Sequence, residues 1–547
     1  MREPRYGVPA RVTRAAAAFA LAGALAAFPA LADEARRASF EASAANPDSA
    51  LAYEISRIEG EPLALADAAA AALAHATAAR EAEAAVRAAG GEARNARGAF
   101  DPELFLAIEK RNEEAPTASP FAGADVLETE ETFTRAGARM RLPFGAEIEA
   151  SLDATRLETN SAFASLVPQY DASGRLAFRQ PLLRGFGPAA WSARASAERL
   201  LESSRASRDD AVLAVRAELE TTYWALYAAE RAFGVQRLVV DRARTFLAEA
   251  RVREAAGLVG PNQVANARVF LAEQELDLID NEELLDGISD RLATLMGRRP
   301  GAGLSRFRSV DEPTDDFATE PQDSLVAQAL RANHSVRAAE RVLAALRAES
   351  RGAAWDALPA VDLIGSIGGN GLAGTPRDVV FDGDTLRSTI DKSDFGDSWS
   401  QVTGRDFPTW SVGIDVSLPI FMREGRGERD RLRGEVERAE QQLIAVQRDV
   451  EARVRANYRE LANGTRRMTI ARDGVAAAME EIRIALIEYQ NGRTTAFEVV
   501  RVGADLPRAQ QRLSLALVRT ARASAELKRL TTTGFADAAS AQKGPSQ

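Results

Sequence analysis

The chain of 547 residues contains no cysteine and only two histidines, His75 and His334. Without cysteine it forms no disulfide and accepts no thioether-linked lipid, so packing or oligomerisation has to stabilise it. Both histidines lie near the ends of short alanine-rich segments, and two imidazoles do not favour a histidine metal site. We therefore predict a protein without a metal, a cofactor or a lipid anchor.

Long apolar runs are equally scarce. One run, Ala15–Phe28, follows an arginine-rich start and precedes a small-residue cleavage site at Ala30–Ala32, which predicts a secretory signal peptide over residues 1–32. The run is shorter than the ~20 residues that a transmembrane helix needs, and no later run reaches that length. The sequence therefore predicts either a soluble secreted protein or an outer-membrane β-barrel, whose strands alternate apolar and polar residues.

Basic charge is also in deficit, because the net charge is −10 and no basic stripe is present. Nucleic-acid binding needs clustered lysine and arginine, so no nucleic-acid partner is expected. Aromatic residues make up 6% of the chain, and heavy use of alanine and arginine is typical of long helices. No arrangement of nucleophile, base and orienting group is found, so we predict that the protein is not an enzyme.

The second half of the chain repeats landmarks of the first half. Two prolines, a tyrosine and a glycine recur in the same order: Pro102, Pro181, Tyr223 and Gly257, then Pro359, Pro419, Tyr458 and Gly492. The offset is 257 residues for the first prolines (359 − 102) and 235 for the glycines (492 − 257). This period is too long for a solenoid and predicts a duplicated unit.

The predicted organisation follows from this duplication. After the signal peptide we expect a lead segment over 33–62, a first repeat over 63–300, a linker over 301–320, a second repeat over 321–530 and a disordered tail over 531–547. Each repeat starts with a predicted helix, Leu63–Arg97 or Pro321–Ala354, which ends just before a proline. The four prolines Pro102, Pro181, Pro359 and Pro419 mark the expected junctions between strands and helices.

Alternating apolar and polar residues after each first helix predict β-strands. The predicted strands are Glu103–Glu109, Phe133–Leu142, Glu147–Leu157 and Arg175–Gln180 in the first repeat, and Val361–Ile367 and Thr409–Leu418 in the second. The sequence between the last two strands is rich in glycine, serine and aspartate and predicts a solvent-facing loop.

Two long helices follow, predicted over Pro188–Arg251 and Gly425–Gln490 with a narrow heptad stripe of apolar residues. At ~1.5 Å per residue they would span about 95 to 100 Å. Each ends at a glycine turn, after which a return helix completes an antiparallel coiled-coil hairpin. Pro507 is expected to interrupt the second return helix. Each of the four helices has a modest apolar face and a charged opposite face, and two hairpins alone would leave their remaining faces open, which favours closure of several copies into a hollow cylinder.

The order and spacing of these features resemble the TolC-like outer-membrane efflux protein family from about Leu63 to Leu530. The residues that carry the resemblance are the junctions 179–187 and 417–421 and the turns 257–259 and 489–494. The resemblance implies a mixed α and β fold. It implies a homotrimer in which each protomer contributes four strands to a twelve-stranded outer-membrane barrel and its helices to a periplasmic α-barrel. Here the first repeat has four strand-like segments where the family needs two, so the hairpin Phe133–Leu157 either extends the extracellular face or enlarges the barrel.

The resemblance also implies a gate at the periplasmic tips. Matched from Gly492, the family's constricting acidic ring falls on Glu498, and its next acidic position falls on Arg501, which can pair with Glu498 at i, i+3. A ring of carboxylates would favour cations. The alternative for Glu498 is a solvated carboxylate on a helix surface.

Further gate and docking positions follow from the same resemblance. Tyr489 matches a latch tyrosine whose acidic and arginine partners fall on Gln263 and Thr494, so the family's salt-bridged latch is not preserved. Contact with the adaptor protein is expected at the tip turns, at Gly257, Leu258, Val259, Gly492 and Arg493.

The implied function is an outer-membrane exit channel of a tripartite efflux pump or a type I secretion system. Its implied partners are a periplasmic adaptor protein, an inner-membrane transporter of the resistance-nodulation-division (RND) or ABC class, and outer-membrane lipid. The implied location is the outer membrane of a Gram-negative bacterium, with the helices extending into the periplasm. The alternative is a soluble periplasmic coiled-coil interaction protein without a barrel.

Overall fold

The computed structural model describes residues 47–118, 122–299, 306–313, 320–381, 384–387 and 391–532. The predicted signal peptide and most of the predicted linker and tail lie outside the described residues. The chain divides into two compact units. The first combines Met1–Ala79, Val212–Val326 and Arg453–Gln547, and the second combines Arg80–Ala211 and Ala327–Ala452.

The described elements alternate between helices and strands along the chain. In order they are α1 Pro47–Ser56, β1 Glu61–Leu63, α2 Leu65–His75, α3 Thr77–Gly98, β2 Glu103–Pro116, β3 Val126–Arg141, β4 Glu147–Thr159, β5 Leu166–Pro181, α4 Pro188–Ala255, α5 Pro261–Leu295, β6 Phe307–Ser309, α6 Gln322–Ala332, α7 His334–Asp356, β7 Ala360–Pro376, β8 Val379–Phe381, β9 Asp384–Leu386, α8 Phe395–Gly404, β10 Phe407–Ser417, α9 Arg423–Gln490, α10 Ala496–Gly503 and α11 Asp505–Thr531.

A six-stranded antiparallel sheet forms the centre of the second unit. Its order is β10-β7-β5-β4-β3-β2, so the six strands of this sheet are arranged in the order in which they occur in the chain. All six predicted strands are present, and most are longer than the alternation predicted. The hairpin of β3 and β4 pairs with β2 on one side and with β5 on the other. The sheet therefore contains six strands of this chain, where the resemblance implied four.

The segment predicted as a loop between the last two strands is largely ordered in regular structure. Gly368 and Gly374 lie within β7, and the short helix α8 begins with a capping box in which Asp394 and Asp397 satisfy each other's backbone N–H. The side-chain amide of Gln401 in α8 bonds to both the N–H and the carbonyl of Leu372, at 2.9 and 3.0 Å. Leu372 lies beyond the part of β7 that pairs with β10, so the Gln401 amide supplies the hydrogen-bond partners that a neighbouring strand would otherwise provide.

Each of the two predicted first helices is broken once. The first breaks at Ala76, which has an extended backbone, and the second breaks at Asn333. The Asn333 side chain accepts hydrogen bonds from Ser335 N at 2.9 Å and Val336 N at 3.2 Å, so it caps the start of α7. The apolar pattern continues through both breaks, and this is why it predicted single helices.

The core of the first unit surrounds Tyr223, which has no exposed surface. Its hydroxyl lies 2.9 Å from the carbonyl oxygen of Leu63 and 2.8 Å from the Asp311 carboxylate. Nearby, the buried Glu230 carboxylate accepts hydrogen bonds from the backbone and hydroxyl of Ser309. These contacts fix the parallel pair β1–β6 against α4, a pairing that the sequence did not predict.

The long helices agree with the sequence in extent but not fully in burial. α4 and α9 contain 68 residues each. Between Tyr223 and Glu230 nearly every residue of α4 is buried, so the predicted narrow stripe is too narrow there. The reason is that α2 and the β1–β6 pair pack on α4 in addition to the other helices. Pro507 interrupts the second return helix as predicted, because α10 ends at Gly503 and α11 begins at Asp505 with the proline in its first turn.

Candidate gate and conduit wall

Both helix tips end in the same hydrogen-bonded turn. Gly257 and Gly492 share a φ of +71°, a left-handed conformation that costs glycine little. The Gly257 and Leu258 N–H groups donate to Glu254 and Arg253 carbonyls, both at 2.9 Å. The Gly492 and Arg493 N–H groups donate at the same spacing to Tyr489 and Glu488, at 3.0 and 2.8 Å. These are Schellman motifs, which end a helix by satisfying its last carbonyls.

Glu498 and Arg501 lie one turn apart on α10, directly after the second tip turn, and form an ion pair. The Arg501 Nε donates to Glu498 Oε2 at 3.0 Å, and a second bond joins the other carboxylate oxygen to the guanidinium. The hydrogen bond from Arg501 holds the pKa of Glu498 below its usual range and raises the pKa of Arg501. Glu498 is therefore ionised at neutral pH, but its charge is compensated locally.

Tyr489 is buried in the last turn of α9, with an exposed fraction of 2%. The Phe246 ring meets it edge-on with centroids 5.5 Å apart, and the Arg253 guanidinium lies 4.2 Å from the centre of its ring. Arg253 also donates to the Tyr489 carbonyl at 3.4 Å. Burial is the main reason why the pKa of Tyr489 is raised.

The other two predicted latch residues, Gln263 and Thr494, form no hydrogen bond with the Tyr489 hydroxyl. Within the described part of the chain, the Tyr489 hydroxyl has no hydrogen-bond partner, so neither Gln263 nor Thr494 replaces the latch partners. Arg253 holds the tyrosine from a different position, by a cation–π contact and a bond to its backbone. Sequence reasoning missed Arg253, although it lies four residues before Gly257, as Glu488 does before Gly492.

A small cavity of about 30 Å³ lies between the helices near these tips, lined by Arg242 and by apolar residues such as Phe246, Phe270 and Val499. Among the described residues, the buried Nη1 of Arg242 has no hydrogen-bond partner. Burial lowers the pKa of this guanidinium. An unpaired charge in an apolar cavity costs stability, since the lost hydration is not replaced.

We expect the substitution Arg242→Met to stabilise the protein by about 1 to 3 kcal/mol, because it removes that cost and keeps most of the side-chain volume. The change in thermal midpoint, followed by circular dichroism of the detergent-purified protein, measures the effect. Arg244→Met is the matched control, since Arg244 is exposed and pairs with Glu275 at 2.9 Å. A midpoint lower for the Arg242 variant than for the Arg244 variant would contradict the expectation.

The sheet has two chemically different faces. One face carries ion pairs between neighbouring strands, namely Arg139–Glu103 at 2.8 Å, Arg135–Glu149 at 2.9 Å and Arg179–Asp362 at 2.6 Å. A cavity of about 390 Å³ opens on this face, lined among others by Asp153, Asp171 and Asn370. The opposite face is apolar and exposed along both edge strands, at Leu104, Leu106 and Ile108 of β2 and at Trp410, Val412 and Ile414 of β10.

Residues 325–533, which contain α7, β7, β10 and the second helical hairpin, match the protein-family model described as outer membrane efflux protein. This part of the chain is therefore similar to the outer membrane efflux protein family. A search of curated protein sequences gave no match.

Solved structures of outer-membrane proteins share the fold of this chain. The outer-membrane channel OprN matches with a TM-score of 0.61 and 19% identity, over 86% of this chain and 90% of that one. The outer membrane protein VceC of Vibrio cholerae matches with a TM-score of 0.60 and 17% identity, over 86% of this chain and 96% of that one. The CmeC outer membrane channel of Campylobacter jejuni matches with a TM-score of 0.60 and 12% identity, over 85% of each chain. These likenesses confirm the predicted class of mixed helical and β fold.

Two negative findings concern the described residues. None of its described helices combines the length and the apolar character that a membrane-spanning helix requires. No group of three or more acidic, histidine or cysteine side chains is arranged to hold a metal ion in the described ranges.

Proposed function

We propose that this protein is an outer-membrane channel of an efflux pump, in which three copies enclose one conduit that runs from the periplasm to the cell exterior. An inner-membrane transporter of the RND or ABC class would supply the substrate through a periplasmic adaptor protein. A type I secretion system would use the same channel in the same way. The match of residues 325–533 to the family model and the fold shared with solved outer-membrane channels support this assignment.

The observation that carries the proposal is the difference between the two faces of the sheet. On β10 the side chains of Trp410, Val412 and Ile414 are 66 to 75% exposed, although each is large and apolar. A soluble protein rarely leaves such a row uncovered. The opposite face carries paired charges and opens a cavity whose lining includes Asp153 and Asp171. Apolar residues toward lipid and polar residues toward the lumen are the arrangement of a transmembrane β-barrel.

The helix tips support the adaptor contact. Leu258 is 75% exposed at the first tip turn, where Gly257 fixes its position, and Arg493 is exposed at the corresponding place in the second turn. An exposed leucine held by a rigid turn provides an apolar anchor for a partner protein. We therefore assign adaptor docking to residues 257–259 and 492–493.

The second candidate is the soluble periplasmic coiled-coil protein. It shares the long helices and heptad stripes with the channel, so these features do not discriminate the two. It has no use for a sheet whose apolar face is exposed, and this sheet therefore favours the channel.

We expect the protein to fractionate with outer membranes, to resist extraction by salt and carbonate, and to migrate as a heat-modifiable trimer after detergent extraction. Insertion of the purified trimer into planar lipid bilayers is expected to give discrete single-channel conductance steps. The matched control is the same preparation after heating, which unfolds the trimer and should abolish insertion. Release of the protein by mild salt without detergent would contradict the channel and favour the soluble candidate.

A further inference from the structure

We propose that the β3–β4 hairpin is part of the barrel wall and that three copies close edge to edge, β2 of one copy against β10 of the next, into a barrel of eighteen strands, six from each copy. The inference rests on the proposed channel function and goes beyond it, since the family resemblance implies four strands per protomer and twelve in the trimer. The occupant of each free sheet edge is a second copy of this chain.

The two faces of the sheet continue through the hairpin without interruption. Residues that pair across the strands lie on one face, and one such row runs through Leu104, Ala138, Ala150, Leu176, Ile367 and Trp410. The neighbouring row on the same face contains Met140, Ile148, Phe178, Gly365 and Val412. The hairpin residues in both rows are apolar or small, as lipid contact requires.

The same face becomes charged farther along the strands. Beyond Ile108 and Ala154 it carries Lys110, Glu130, Arg156 and Glu158, and Lys110 forms an ion pair with Glu130 at 2.6 Å. A hairpin that lay wholly outside the membrane would need this polar character along its full length. The change from apolar to charged side chains part-way along β2, β3 and β4 instead places the membrane boundary within the hairpin.

The opposite face ties the hairpin into the wall by ion pairs. Arg139 of β3 binds Glu103 of β2 at 2.8 Å, and Arg135 of β3 binds Glu149 of β4 at 2.9 Å. These pairs lie on the same face as Arg179 and Asp362, which join β5 to β7. The inserted hairpin thus continues the polar lining of the conduit.

The two edge strands are suited to meet each other. Every neighbouring pair in the sheet is antiparallel, so in a sheet of six strands the outermost two run in opposite directions. β2 of one copy and β10 of the next therefore meet as an antiparallel pair. In lipid an open edge leaves backbone N–H and carbonyl groups without hydrogen-bond partners, which strongly disfavours it. Closure between copies removes both edges and joins the apolar rows.

The size of the barrel distinguishes this arrangement from the one implied by the resemblance. With strands about 4.8 Å apart and tilted by about 40°, eighteen strands give a backbone diameter of about 36 Å, whereas twelve give about 24 Å. Barrels of 16 to 18 strands enclose an open aqueous channel. The hairpin therefore gives this channel a wider exit in the outer membrane.

Disulfide cross-linking tests the proposed pairing directly, because the chain has no cysteine of its own. Ala107→Cys on β2 is combined in turn with Thr409→Cys, Ser411→Cys, Gly413→Cys or Asp415→Cys on β10, all on the polar face. We expect mild oxidation of the membranes to link intact copies into dimers and trimers for at least one combination. Ala107→Cys with Val412→Cys is the matched control, since Val412 lies on the other face.

Absence of cross-linked species from all four combinations, in preparations that still contain the heat-modifiable trimer, would overturn the proposal and leave the channel function standing. Electron cryomicroscopy of the purified trimer provides the second measurement. A wall of eighteen strands about 36 Å across supports the proposal. Twelve strands, from three copies or from two, would overturn it. Failure of the protein to fractionate with outer membranes would instead refute the proposed function.

Discussion

Removing the positive partner at the candidate gate, by Arg501→Gln, is expected to make the channel markedly more selective for cations. In the native protein the carboxylate of Glu498 is compensated by the Arg501 guanidinium 3.0 Å away. In a threefold assembly the substitution would expose three uncompensated negative charges around the conduit. Glu498→Gln leaves three positive charges and is expected to shift selectivity the opposite way. A three- to tenfold change in the permeability ratio corresponds to about 0.7 to 1.4 kcal/mol, well within the interaction of charges a few ångströms apart.

Reversal potentials under a salt gradient in planar bilayers measure both shifts. The matched control is the pair Glu480 and Arg483 on α9, which has the same residue types, the same spacing and the same directions of pKa change but lies about three turns before the tip. Glutamine at either control position should leave the reversal potential unchanged. Equal reversal potentials for the two gate variants would show that Glu498 and Arg501 do not line the conduit.

The pH dependence of the cation selectivity provides a further test. The hydrogen bond from Arg501 keeps the pKa of Glu498 low, so the native carboxylate stays charged as the pH falls into the ordinary titration range of glutamate. In Arg501→Gln this support is lost, and the carboxylate should protonate near the ordinary glutamate value of about 4.3. The added cation selectivity is therefore present at neutral pH and disappears as the pH is lowered through that value. The selectivity of Glu498→Gln should not change over the same range.

The Glu498–Arg501 pair shows what a local pattern can predict. Spacing along one helix fixes which side chains meet, so an i, i+3 pair is visible in the sequence. For the same reason the alternation of apolar and polar residues located all six strands of the sheet, and the glycines Gly257 and Gly492 located both helix ends. Each of these features is decided within a few residues of the chain.

Features formed between distant segments could not be predicted in this way. Arg253 contacts Tyr489 across 236 positions of the chain, and β1 pairs with β6 through segments of three residues each. So short a strand carries no periodicity of its own. The sequence also left open whether the hairpin joins the sheet, because alternation gives the faces of a strand but not its neighbours. The registers of β3 with β2 and of β4 with β5 supply the missing information.

The second large effect is expected at the buried centre of the first unit, where Tyr223→Phe should destabilise the protein by about 1 to 3 kcal/mol. The Tyr223 hydroxyl accepts hydrogen bonds from the N–H groups of Val310 and Asp311, both at 3.2 Å, and lies 2.8 Å from the Asp311 carboxylate. Phenylalanine fills the same space but leaves these polar groups without that partner. The cost is that of the lost hydrogen bonds, because Asp311 keeps its bond from Leu65 N and Val310 N–H keeps its bond to Leu63 O.

Tyr458, which the predicted duplication matches to Tyr223, supplies the control. Tyr458 follows it by 235 residues (458 − 223) and is only partly buried, so Tyr458→Phe should change stability by a few tenths of a kcal/mol at most. Thermal midpoints of the two detergent-purified variants, compared with the native protein, provide the measurement. Similar midpoints for both variants would mean that the hydroxyl of Tyr223 contributes nothing beyond its ring.

The loss of stability at alkaline pH tests the contribution of the Tyr223 hydroxyl separately from that of its ring. Burial, with a contribution from the Asp311 carboxylate, raises the pKa of Tyr223 to about 12, above the value of about 10 expected in the unfolded chain. Its neutral form therefore contributes stability that is fully present below pH ~10 and is lost progressively as the pH rises toward ~12. Tyr223→Phe has no proton to lose, so its stability should fall less steeply than that of the native protein across this window. Parallel pH profiles for the two proteins would show that the hydroxyl is not held in its neutral form by the contacts between β1, β6 and α4.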